Sequence, residues 1–96
     1  MIKTFADKET EKLFNDIRSK RFGSIERQAR LKLMALNIAE ALTDLQPPNA
    51  PPAMRLEKLK GDRAGQWSIR INKQWRVCFN WQDGQGAFDV EIVDYH

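Results

Sequence analysis

Over the last third of the chain, apolar and polar residues alternate with period two in three runs, residues 66–71, 75–81 and 87–93. The runs are separated by Asn72-Lys73-Gln74 and by Asp83-Gly84-Gln85-Gly86, both rich in turn formers. That pattern predicts an antiparallel meander, because strand side chains point alternately to the two faces of a sheet. Trp67, Ile69 and Ile71, then Trp75, Val77, Phe79 and Trp81, then Phe88, Val90 and Ile92 are expected to face the core, which makes the tryptophans core residues rather than platforms for bases. The opposite face would carry Ser68 and Arg70, then Arg76, Cys78 and Asn80, then Asp89, Glu91 and Val93. Arg76 therefore stands on a middle strand facing away from the core, either paired with Asp89 or Glu91 or open to an anion, and Cys78 is expected as a passive thiol on or near that open face.

Upstream, the period lengthens. Ile2-Lys3-Thr4-Phe5 suits an edge strand, and Asp7 is a good N-cap for a helix over 7–20, with Leu13, Phe14 and Ile17 as its apolar stripe. Phe22-Gly23 would end that helix and Ser24 cap the next. In the second helix, Leu31, Leu33, Met34, Leu36, Ile38 and Leu42 cover more than one stripe, so the expectation is deep burial, with a surface held for a partner as the alternative. All four prolines fall within 43–54, which makes that stretch a semi-rigid connector. The resulting fold class is α+β, a single domain over 1–96 in the order β-α-α-β-β-β, with two N-terminal helices packed on a small, mostly antiparallel sheet.

Composition narrows the function. At 96 residues with 42% hydrophobic and 30% charged side chains, the chain holds one core. No apolar run reaches the roughly 18 residues a membrane span needs, and Met1–Phe5 lacks the apolar stretch of a signal peptide, so a cytoplasmic protein with no membrane partner is expected. One cysteine and one histidine leave no internal disulfide and no metal cage, and no cofactor is expected. The net charge of +3 is modest but unevenly spread. Residues 1–32 hold nine Lys/Arg against five Asp/Glu, 33–54 none against two, 55–76 seven against two, and 77–96 none against four. Such segregation suits phosphate binding, although basic and acidic strands pairing across a sheet would give the same profile.

Four motifs occur in order: Lys58-Leu59-Lys60-Gly61-Asp62-Arg63, Trp67-Ser68-Ile69, Gln74-Trp75-Arg76-Val77, and Asp94-Tyr95-His96. Together with the opening Met1-Ile2-Lys3-Thr4-Phe5 they resemble the HigB branch of the RelE/ParE toxin superfamily over nearly the whole chain. The resemblance implies a RelE/ParE-like fold and the toxin of a type II toxin-antitoxin system that cleaves messenger RNA on the translating ribosome. It also implies neutralisation by a HigA-type helix-turn-helix antitoxin, contact with the small-subunit decoding site, and operator DNA bound only through the antitoxin complex. The family's RNA-cleaving positions fall on Lys60, Arg76, Asp94, Tyr95 and His96, with Lys58, Arg63 and Arg70 as further RNA contacts. Some members carry a histidine shortly before the Leu-Lys-Gly-Asp segment, where this chain has Glu57.

The chemistry of those residue types is consistent with such a role. Metal-independent RNA cleavage needs the ribose 2′-hydroxyl activated, the extra charge on phosphorus stabilised and the leaving oxygen protonated. Lys60 and Arg76 suit the second task, His96 suits proton transfer, and Glu57 or Asp94 could accept the proton from the 2′-hydroxyl. Tyr95 could stack on a base or hydrogen-bond to phosphate. A gyrase-inhibiting ParE-like toxin and a noncatalytic nucleic-acid-binding module are the competing classes. Deleting His96 is expected to lower the cleavage rate by about a hundred- to ten-thousand-fold. Stability should change by about 0.5 kcal/mol or less. Single-turnover cleavage and thermal melting of the truncated chain check both.

Overall fold

The computed structural model describes residues 1–95; His96, the expected proton-transfer residue, lies outside the described residues. Two helices, α1 (Lys8–Phe14) and α2 (Glu26–Ile38), precede four strands: β1 (Glu57–Lys58), β2 (Trp67–Arg70), β3 (Trp75–Gln82) and β4 (Gly86–Asp94). The strands form one antiparallel sheet in the order β1-β2-β3-β4. The meander expected from the alternation is present. The two-residue β1, too short to alternate, is an addition to it. The N-terminal residues run parallel to β4, bridging Ile2 to Ala87 and Phe5 to Val90, so the expected edge strand exists as two isolated bridges.

The inner face of the sheet packs on the helices. Leu13, Phe22, Leu33 and Leu36 meet Ile69, Val77, Phe79, Val90 and Ile92, all fully buried. Trp67, Trp75 and Trp81 are half-buried and packed against this core, with Phe22 edge-on to Trp75 at 5.6 Å. Thr10 pins α1 to the sheet, its buried hydroxyl accepting from the Ile92 backbone N–H at 3.1 Å. The connector over 43–54 contributes to the core through Leu45, Ala50 and Met54 and contains 3₁₀ turns at Leu42–Leu45 and Pro52–Met54.

Four sequence expectations are corrected. The first helix starts as expected, with Asp7 Oδ1 accepting from Thr10 N–H at 2.9 Å, but it stops at Phe14 rather than Lys20. Asp16 takes a left-handed φ of 65°, a conformation that short polar side chains tolerate, and Ile17 is left exposed. Arg30 then caps the C-terminal end of α1, donating from Nε to the Leu13 carbonyl at 3.0 Å. Ser24 does not cap α2, which is entered through a 3₁₀ turn at Gly23–Ile25 without a side-chain cap.

The alternation also slips in β4, where the pairing with β3 shifts between Cys78 and Asn80 and Asp89 takes a φ of 54°. A bulge inserts a residue and flips the face of everything on one side of it. Ala87, not Phe88, is therefore the fully buried partner of Val90 and Ile92, and Phe88 lies opposite Asn80. Finally, α2 buries only Ala29, Leu33 and Leu36, while Leu31, Met34 and Ile38 are exposed, contrary to the expected deep burial.

Gly86 opens β4 beneath the N-terminal segment with a φ of +127°, and a Cβ there would lie 2.1 Å from the Met1 carbonyl oxygen. Both the backbone and the close approach require glycine. Gly86→Ala is expected to destabilise the fold by about 2–4 kcal/mol. Urea unfolding of the variant measures it.

Candidate active site

Among the described residues no α-helix lies over the outer face of the sheet, yet Ser68 and Cys78 in its middle are fully buried. Charged side chains cover them. Arg63 donates to Glu91 Oε1 at 3.2 Å and to Gln66 Oε1 at 3.1 Å on one side. On the other side, Arg76 donates to Ser68 Oγ at 2.8 Å and to Glu57 Oε1 at 3.1 Å. The Arg76 side chain is only 14% exposed and its carboxylate partner 52%. Stem and fork are thus immobilised while the partner stays hydrated.

The register explains this placement. Glu57 stands opposite Ser68, Ser68 opposite Cys78, and Cys78 opposite Glu91, so one row crosses all four strands. Arg76 lies in the next row, directly opposite Arg70 on β2 and Val93 on β4. The bond to Ser68 is therefore a diagonal cross-strand contact. The expected partners Asp89 and Glu91 are engaged elsewhere: Asp89 accepts from Asn80 at 3.0 Å and Glu91 from Arg63. Glu57 takes their place, brought there by the short β1.

Tyr95 and Asp94 adjoin the site. The Tyr95 ring lies under the Arg76 guanidinium at 5.4 Å, and Tyr95 is 40% exposed. Its backbone N–H donates to the Gln74 carbonyl. Asp94 pairs in register with Trp75, and its Oδ2 accepts from Gln74 Nε2 at 3.0 Å. The β2–β3 turn that carries Gln74 is itself tied by Asn72 Oδ1, which accepts from the N–H groups of Gln74 and Trp75 at 2.8 and 2.9 Å. Arg70 donates from Nε to the Asn72 carbonyl at 3.1 Å.

The structure therefore brings together Arg76, Tyr95, Arg70 and Glu57, with Asp94 held at the adjoining turn. Lys58 and Lys60 lie at the β1 edge. Lys58 Nζ sits 5.7 Å over the Trp67 ring, whereas the exposed Lys60, among the described residues, makes no hydrogen bond or ion pair. Arg63 is occupied by Glu91. Ser68 is a supporting residue that the sequence did not single out, because a serine on an alternating strand carries no signal of its own. Among the described residues, Arg76, Arg70, Lys58 and Lys60 stand against Glu57 and Asp94, and Arg76 pairs with Glu57, which leaves a surplus of positive charge around a rigid arginine fork. Such an arrangement has the chemistry to bind a phosphodiester and to stabilise extra charge on it.

Comparison with known proteins gives a consistent result. The model of the HigB-like toxin family, "RelE-like toxin of type II toxin-antitoxin system HigB", matches residues 3–96. Toxin HigB-1 of Vibrio cholerae serotype O1 is 42% identical over 82 residues, 83% of either chain. Endoribonuclease HigB of Proteus vulgaris is 43% identical over 42 residues, 44% of this chain and 45% of that one. A chain of the YoeB-YefM complex from Staphylococcus aureus aligns over 100% of this chain and 95% of its own, with a TM-score of 0.53 and 24% identity, and so shares the fold.

Cys78 lies at the centre of the covered row rather than on an open face, and its burial raises the thiol pKa above the ordinary value, with Glu91 adding to the rise while Arg63 and Arg76 oppose it. In the unfolded chain the thiol ionises near pH 8.5, whereas in the folded chain it stays protonated beyond that. The folded state then binds more protons, so this group makes stability fall as pH rises past 8.5. Wild type should lose more stability than Cys78→Ala between pH 8 and 10. Thiol-specific labelling of the folded chain at pH 7 should be slow until denaturant is added.

Proposed function

The chain belongs to the HigB-like family of RelE-like toxins of type II toxin-antitoxin systems, and on that premise we propose that it is a metal-independent endoribonuclease that cuts messenger RNA on the ribosome and is held inactive by a HigA-type antitoxin. The observation that carries the reading is the arginine fork of Arg76. It is immobilised by Ser68 and Glu57, stacked on Tyr95 and set opposite Arg70. The fork is rigid before substrate arrives, so little reorganisation accompanies phosphate binding.

In the proposed reaction a scissile phosphate competes with Glu57 for the Arg76 fork. The displaced carboxylate, already half exposed, then accepts the proton of the ribose 2′-hydroxyl as its oxygen attacks the neighbouring phosphorus. Glu57 is favoured for this step over Asp94, whose carboxylate is held by Gln74. Arg76 and the movable Lys60 stabilise the added negative charge, and His96 protonates the departing 5′-oxygen. Tyr95 packs against the guanidinium and offers its exposed edge to a base. Arg70 and Lys58 bind flanking phosphates, while Arg63 is available only where a phosphate displaces Glu91 from it. The ribosome's decoding site presents the message in a conformation that these few groups can act on. The setting is the cytoplasm, and operator DNA is reached only through the antitoxin complex.

Arg76→Ala tests the assignment. It leaves Ser68 Oγ without its donor, a loss of about 1–2 kcal/mol in stability. Glu57 rehydrates at little cost because its ion pair is half exposed. Cleavage should fall by about a hundred- to a thousand-fold, and Arg76→Lys should recover only a small part of it because the fork is lost. Kinetics on ribosome-bound message, paired with melting curves, read both. An unfolded variant, or one with full activity, removes Arg76 from the site.

A further inference from the structure

Helix α2 is apolar on two sides. Ala29, Leu33 and Leu36 face the core. Leu31, Met34 and Ile38 are 59%, 55% and 76% exposed. With Arg27 they recur at intervals of four, three and four residues, which on a helix draws one straight line roughly opposite the buried stripe. The line spans about 16 Å, or three helical turns. At its C-terminal end Ile38 also lines a groove of about 450 Å³ walled mainly by Ala35, Leu45, Ala50, Pro51 and Met54, with Asp44 and Asn49 as its polar members. The Pro-rich connector thus extends the apolar surface beyond the helix. A contiguous apolar line ending in a pocket is more than the scattered exposure normal for a small domain.

The charge around the line has a direction. Arg27 heads it, exposed and, among the described residues, in no ion pair, with Lys32 on its flank. The other basic residue of the helix, Arg30, is turned away and bound to Glu26 and Asp16. The unmatched charge is therefore positive at the N-terminal end of the stripe. Resting on the toxin-antitoxin reading, we infer that this face is the docking surface for an amphipathic helix of the antitoxin. That helix would place apolar side chains at three- and four-residue intervals along Leu31, Met34 and Ile38, seat one in the groove beside Ile38, and set an acidic residue against Arg27. Spaced apolar anchors steered by a rim charge are the usual chemistry of helix-on-helix recognition. The face lies on the helical side of the sheet, away from Arg76, so its occupancy and RNA cleavage are separable by mutation.

The test uses the full chain and the antitoxin of its own locus. Met34→Lys with Ile38→Lys should weaken antitoxin binding, measured by titration calorimetry, by about a hundredfold or more. Arg27→Glu should weaken it by about tenfold, with the difference shrinking at high salt. Circular dichroism and ribosome-dependent cleavage should match wild type in all of them, because the side chains are solvent-exposed and remote from Arg76. Antitoxin affinity unchanged by the double substitution overturns the docking site, and unchanged affinity with Arg27→Glu overturns the acidic partner residue. If the free wild-type chain is a dimer in sedimentation and the double variant a monomer, the face serves self-association and the inference fails. A wild-type chain without cleavage activity sinks the functional reading instead, a result the binding titration does not produce.

Discussion

One guanidinium organises the outer face of this sheet. Arg76 is anchored to Ser68 and Glu57 and lies on the Tyr95 ring, contacts that tie β1, β2, β3 and the C-terminal segment together. A small domain has apolar residues enough for one core, and here that core lies between the helices and the inner sheet face. The outer face is closed instead by the stems of Arg63 and Arg76, whose heads find carboxylates on β4 and β1. Burial of Cys78 and Ser68 follows from that cover. The same side chain therefore seals the sheet and, in the proposed reaction, presents a fork to phosphate.

The two arginine pairs differ in what a substrate can do with them. Arg63 and Glu91 are similarly exposed, at 32% and 30%, whereas Arg76 at 14% meets a Glu57 at 52%. An anion arriving at Arg76 displaces a hydrated carboxylate from a fixed cation, so the exchange costs little and leaves the carboxylate beside the phosphate.

The parts of the fold legible in the sequence are those set by local pattern. The meander, the Asp7 cap, the proline connector and the outward-facing Arg76 all follow from alternation or from single-residue chemistry. The misread parts depend on events that pattern does not encode. Asp16 in a left-handed conformation shortens α1, and the slip near Asp89 exchanges Ala87 for Phe88 in the core. The excess of apolar residues on α2 was visible, but a one-dimensional count cannot say which of two stripes meets the sheet. Of the candidate site, the outward placement of Arg76 was legible, whereas its pairing with Glu57 was not, because that depends on a two-residue strand pairing across an eight-residue connection. His96 lies outside the described residues, so its role rests on the chemistry of imidazole and on the Asp-Tyr-His motif.

The central claim is that a rigid arginine fork makes this small domain a cutter of ribosome-bound message. Mapping the 5′ ends of a defined messenger RNA after incubation with the purified chain, with ribosomes present and absent, tests it most directly. The account predicts new ends at discrete positions within translated codons when ribosomes are present, and nearly none on the naked RNA. Cleavage of naked RNA as rapid as on ribosomes, or no new ends in either case, would contradict it.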